Sequence, residues 1–224
     1  MKTTALSPED YRNAIYLDFE GEGKKRDGTI PRPHMVGFFK PNLKGKGGKY
    51  SSVFFMESWK PVVNRFRHAA QLIKFSDYFE ILTDELITND QHLVCWSIHE
   101  PMILEKYLSP AVFERLSPRI HNLHLVAKQY ARQKDAFGPA TRTYGKKLED
   151  FFAAFYTARV PYNLLSQGAA ETCRRIDLAC SRSQHWKGFT KRQKSYAKDL
   201  VKYNIADCRM TWLIALKVGN YFNG

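Results

Sequence analysis

The stretch Ile15-Tyr16-Leu17-Asp18-Phe19-Glu20-Gly21 constrains this chain more than any other. It has the apolar alternation of a β-strand, carries two carboxylates and stops at glycine. Successive side chains of a strand point to opposite faces, so Asp18 and Glu20 share one face, roughly 7 Å apart, while Ile15, Leu17 and Phe19 share the other. Two acids beside an apolar sheet resist ionising together. A divalent cation between them removes the conflict, and hard ions such as Mg²⁺ and Mn²⁺ prefer carboxylate oxygen. Two such ions about 4 Å apart can clamp both sides of a phosphoryl transfer. Taken alone, the stretch reads slightly better as an edge strand with solvated acids, so the decision rests on other parts of the chain.

With 224 residues, 44% of them apolar, the chain is long enough to bury a substantial core, and it reads as a single domain over residues 1–224. The balance of 35 basic against 22 acidic side chains gives a formal charge of +13, which favours an anionic partner such as nucleic acid or a charged membrane surface. Cys95, Cys173, Cys180 and Cys208 form no C-x-x-C pair and no zinc-site spacing, so they read as free thiols in a reducing compartment. No apolar run has the length of a membrane span, and the N-terminal residues lack a signal-peptide core. A cytoplasmic protein with no membrane partner is expected.

The remaining pattern describes an α/β domain, with a mixed five-stranded sheet flanked by helices and a helical C-terminal part. Ser7-Pro8-Glu9-Asp10 reads as a turn or helix start, and the first strand as residues 13–20. Residues 21–33, with Asp27-Gly28 and two prolines, read as a loop. Strands over 34–40 and 50–56 flank a Lys- and Gly-rich turn over 41–49, which makes the first three strands a meander. Residues 61–88 have helical spacing for one or two helices, 92–98 is a buried strand, and Pro101 fits the first position of a helix with Glu100 at or near its N-cap. A short helix over 110–117 and a fifth strand over 120–126 follow. Helices are expected over 148–159, 164–182 and 190–222.

The last helix contains an anomaly. Its apolar stripe runs Leu200, Tyr203, Met210 and Ile214, and the slot between Tyr203 and Met210 is filled by Asp207. An unpaired charge in a core position costs several kcal/mol or more, so Asp207 needs a cation, a donor or a site mouth before it. Tyr203 lies one turn earlier on the same face. Singly, Y-x-x-x-D is a common spacing, and Glu100 at a helix start is favoured by the helix dipole alone. The ordered combination is much rarer.

That combination, Leu17-Asp18-Phe19-Glu20, Trp96-Ser97-Ile98-His99-Glu100 and Tyr203-Asn204-Ile205-Ala206-Asp207, resembles the DEDD-type 3′-5′ exonucleases of the RNase H-like superfamily, in the subclass with tyrosine in the last motif (DEDDy). The likeness spans nearly the whole chain, and the third motif, with Cys208 and the helix after it, looks like that of uncharacterised bacterial RNase H-like exonuclease proteins. The middle motif departs from the usual pattern in carrying Glu100 in place of aspartate. The resemblance implies that Asp18, Glu20 and Asp207 hold two divalent cations, Mg²⁺ or Mn²⁺, with Glu100 assisting and Tyr203 orienting the attacking water. It also implies a nucleic-acid substrate, DNA or RNA, engaged at a single-stranded 3′ end and released as nucleoside 5′-monophosphates. A catalytically weak or inactive nucleic-acid-binding module and an endonuclease on the same scaffold are the rival readings.

Basic stretches offer phosphate contacts: Lys24-Lys25-Arg26, the Lys40–Lys49 turn, and residues 174–202, where nine basic side chains face only Asp177 and Asp199. His185, Trp186 and Phe189 are interleaved there, a composition suited to single strands or equally to a solvated helix over core aromatics. His121 and His124 alternate across the expected fifth strand and make no zinc site.

Overall fold

The computed structural model describes residues 4–42, 47–137, 147–156, 165 and 167–223. The expected turn tip (43–46), the end of the 148–159 helix and Leu164 at the start of the next lie outside the described residues. The chain opens with α1 (Pro8–Asn13), whose first turn is closed by a reciprocal Ser7/Asp10 capping box. The strands are β1 (Ile15–Glu20), β2 (Met35–Pro41), β3 (Gly48–Phe54), β4 (Ala70–Leu72), β5 (Leu93–Cys95) and β6 (Ile120–Asn122). Between and after them come α2 (Lys60–Arg65), α3 (Phe75–Thr88), α4 (His99–Tyr107), α5 (Pro110–Leu116), α6 (Leu123–Gln133), α7 (Leu148–Tyr156), α8 (Ala169–Arg182) and α9 (Lys191–Asn223).

The strands form one mixed sheet in the order β4-β3-β2-β1-β5-β6. β1, β2 and β3 pair antiparallel as the expected meander, β5 runs parallel to β1, β6 parallel to β5, and β4 parallel to β3. Among the described residues the sheet therefore has six strands, where five were expected. The additional one, β4, lies inside the stretch whose apolar spacing reads as helical. It is three residues long and takes its strand character from pairing with β3.

The alternation of β1 sorts the core into layers. Ile15 and Leu17 pack with Phe75, Phe79, Leu82, Ile103 and Leu104 of α3 and α4 on one face, and Tyr16 joins α6, α7 and α9 on the other. A third apolar group seats α8 and the first part of α9 against Met35, Phe54 and Trp59. At 33 residues, or about 50 Å, α9 touches β1, β2, α1, α6, α7 and α8. Among the described residues no helix is long and apolar enough to cross a membrane.

Two local expectations are corrected. The strand read over 120–126 ends at Asn122, whose side chain accepts a hydrogen bond from His124 N and so starts α6. His121 and His124 therefore do not alternate across one strand: His121 is in β6, bonded to Tyr11, and His124 is in the first turn of α6. In α4, Ile98 is the cap and His99 the first helical residue, so the helix starts two residues earlier than expected and Glu100 and Pro101 are its second and third residues. All four cysteines are free and buried.

Candidate metal centre

β1 and β5 are parallel neighbours whose C-terminal ends open on the same side of the sheet, the usual location of a site in α/β folds. Asp18 and Glu20 leave that end of β1 facing α9. α9 brings Asp207 to them: one carboxylate oxygen from each of the three acids lies within 4.8 Å of the others. Glu20 is 3% exposed and Asp207 7%, and among the described residues Asp207 Oδ1 is buried without a hydrogen-bond partner. An all-oxygen donor set with one orphaned buried oxygen fits a hard divalent ion.

The electrostatics reflect the crowding. Burial, then the charges of Glu20, Asp207 and Glu100, raise the Asp18 carboxyl well above the ordinary range. Burial raises Asp207 too, followed by repulsion from Glu20 and Glu149, with a hydrogen bond from Tyr203 partly offsetting them. Glu20 is pushed up to about 7 by burial, while hydrogen bonds from Asn204 and from Asp18 pull it back. Tyr203, half-buried, is raised by burial and by Asp207, so it stays a neutral phenol and a donor.

A pH dependence follows. Glu20 holds its proton in the folded state up to about pH 7 but loses it near 4.5 once unfolded. In that interval the folded state binds more protons, so the metal-free protein loses stability as pH rises from about 4.5 to about 7, by on the order of 3 kcal/mol. Melting curves in EDTA across this range should fall accordingly, and Mn²⁺ should restore more stability at pH 8 than at pH 5. A flat profile would contradict the assignment.

Glu100 stands apart. It is buried at the start of α4, and its Oε2 accepts from Ser97 N at 3.0 Å and Ser97 Oγ at 2.9 Å. Its charge is felt by Asp18 and Asp207, but it is outside the three-acid group. The structure thus brings together Asp18, Glu20, Asp207 and Tyr203, with Glu100 at the margin, tied to Ser97.

Several residues escaped the sequence reading. Glu149 of α7 adds its charge beside Asp207 and Tyr203. Asn204 is fully buried between the acids. A second group able to hold a metal ion, Glu22, His34 and Asp177, lies just beyond the end of β1. There Asp177 accepts from Trp59 Nε1 at 2.6 Å and from His34 Nε2 at 2.8 Å, and His34 Nδ1 is buried without a partner. The alternation of Asp18, Glu20 and Glu22 is the one signal that could have pointed to it.

The basic stretches divide. Lys24, Lys25 and Arg26 are exposed beside the end of β1, Arg182, Lys191, Arg192, Lys198 and Lys202 are exposed along α8 and α9, and Lys187 is exposed on the turn between those helices. Of the interleaved rings, Phe189 is buried, Trp186 is half-buried against Phe66 and Phe189, and His185 is exposed.

Fold and site together define a mixed α/β protein with two carboxylate and carboxylate–histidine groups able to bind metal ions. Comparison with known proteins finds no matching family model, no matching curated protein and no matching solved structure.

Proposed function

We propose that the protein is a metal-dependent 3′-5′ exonuclease on an RNase H-like scaffold of the DEDDy type, acting on DNA or RNA. The observation that carries this reading is the meeting of Asp18, Glu20 and Asp207, from opposite ends of the sequence, beside the neutral phenol of Tyr203. The mixed sheet with helices on both faces supports it, with β4 an addition at the sheet edge.

Asp18, Glu20 and Asp207 would hold two Mg²⁺ or Mn²⁺ ions, with Glu100 assisting through its second oxygen. When bound, such ions supply activation of water and neutralisation of charge on the phosphate and the departing 3′ oxygen. Tyr203, kept protonated by burial and its acidic neighbours, would turn the hydrogen bond it gives Asp207 toward the attacking water once Asp207 has engaged a cation. The exposed lysines and arginines near β1 and along α8 and α9 attract the phosphate backbone of a single-stranded 3′ end without reading sequence.

The test is degradation of 5′-labelled single-stranded DNA and RNA with Mn²⁺, Mg²⁺ or EDTA. A metal-dependent ladder shortening from the 3′ end, lost in Asp18→Ala and Asp207→Ala, is expected. Cleavage of circular substrate would make the protein an endonuclease. The second reading, a binding module, draws on the engagement of Glu100 by Ser97. Retardation of the strand with the label intact under every metal would establish that reading. Tyr203→Phe should slow single-turnover hydrolysis by on the order of a hundredfold at unchanged Mn²⁺ affinity; an unchanged rate would remove Tyr203 from the mechanism.

A further inference from the structure

We infer that Asn204 is the positioning residue of this centre, a neutral clamp that fixes the Asp18 and Glu20 carboxylates in one arrangement before a cation arrives. The inference rests on the metal-centre reading above. Asn204 is 0% exposed on the face of α9 that meets β1 and β2. Its Nδ2 donates to Asp18 Oδ2 at 2.8 Å, to the Asp18 backbone oxygen at 3.0 Å and to Glu20 Oε1 at 3.2 Å. One amide thus grips both carboxylates and the backbone that carries them.

The orientation of that amide is itself fixed. Tyr50 of β3 donates its hydroxyl to Asn204 Oδ1 at 2.9 Å, which leaves only the NH₂ edge for the acids. Room for the amide comes from Gly37 of β2, paired in register with Asp18: a Cβ there would stand 1.6 Å from Asn204 Oδ1 and 2.7 Å from the Tyr50 hydroxyl. Three neighbouring strands and the last helix therefore converge on one side chain.

An amide suits the task better than the alternatives. A lysine or arginine would neutralise the two acids permanently and compete with the cation. An apolar residue would leave two buried like charges with no common donor. The amide orients both and leaves their charge to the metal. Groups that orient metal ligands in this way commonly change metal affinity tenfold to a hundredfold when removed.

The experiment is calorimetric titration of Mn²⁺ into wild type, Asn204→Ala and Tyr50→Phe, at a temperature well below the melting point of each in EDTA. We expect Asn204→Ala to weaken Mn²⁺ binding by roughly tenfold to a hundredfold, and Tyr50→Phe, which keeps the ring and frees the amide to rotate, by a smaller factor. A merely structural role would lower the melting points and leave the affinities alone. Wild-type affinity in both variants overturns the clamp and leaves the metal centre standing. Absence of Mn²⁺ binding by wild type overturns the centre, and the clamp with it. Should Asn204→Ala fail to fold, Tyr50→Phe decides alone, and an unchanged affinity in it overturns the clamp.

Discussion

Freed of metal by EDTA at pH 8, Asp207→Asn is expected to melt several degrees above the wild type. The carboxyl of Asp207 is buried, its Oδ1 has no partner among the described residues, and burial together with Glu20 and Glu149 raises its affinity for a proton. Unfolding returns it to water, where it ionises at the ordinary carboxylate pKa. Between that pKa and the raised folded one, the unfolded state binds fewer protons and wild-type stability falls as pH rises. The isosteric amide does not titrate, still accepts from Tyr203, and removes this loss. For a chain of this size each kcal/mol recovered is worth roughly 2–4 °C. The gap between variant and wild type should vanish near pH 4 and widen toward pH 8. A variant that melts below wild type at pH 8, or a gap independent of pH, would show that Asp207 carries no such strain.

Gly37→Ala produces the second large effect. Its Cβ cannot coexist with Asn204 as placed, 1.6 Å from Oδ1, and the other obstacle is the Tyr50 hydroxyl at 2.7 Å. Both side chains are held by the hydrogen bonds that define the centre, so relief means expelling Asn204 from between the acids. Overpacking of this kind costs typically 1–3 kcal/mol, and stranding the carboxylates without their donor adds to it. The expected result is a melting point lower by about 5–10 °C, together with weaker Mn²⁺ binding. Circular dichroism melts and the same titration check both. Wild-type behaviour in both would mean that α9 can shift away from β2 at little cost.

The legible parts of the molecule were those whose signal is local. Asp18 and Glu20 announce themselves by a two-residue period, and Asp207 by a charge inside a helical stripe, because each clashes with its own neighbours in sequence. β4 was hidden because three residues, Ala70, Gln71 and Leu72, carry too little pattern to outweigh the helical spacing around them. The helix at Leu123 was hidden for a different reason: Ile120 to Val126 has strand composition, and the one contrary sign was the capping residue Asn122. The Asn204 clamp could not be read at all. Its meaning lies in contacts with Asp18, Glu20, Gly37 and Tyr50, and neither Gly37 nor Tyr50 looks unusual until α9 is laid against the sheet. The same holds for His34 and Asp177, 143 positions apart.

The span between the halves of the centre has a consequence for synthesis. Asn204 and the Asp18 carboxylate it holds are 186 residues apart, and Asp207 comes later still. At ribosomal rates of about 5–20 residues per second, Asp18 waits on the order of 10–40 s before its clamp has been made. During that time the emerging chain carries two of the three acids and no means of gathering a cation between them. On the proposed reading, metal capture would therefore wait until the last helix has docked against the sheet.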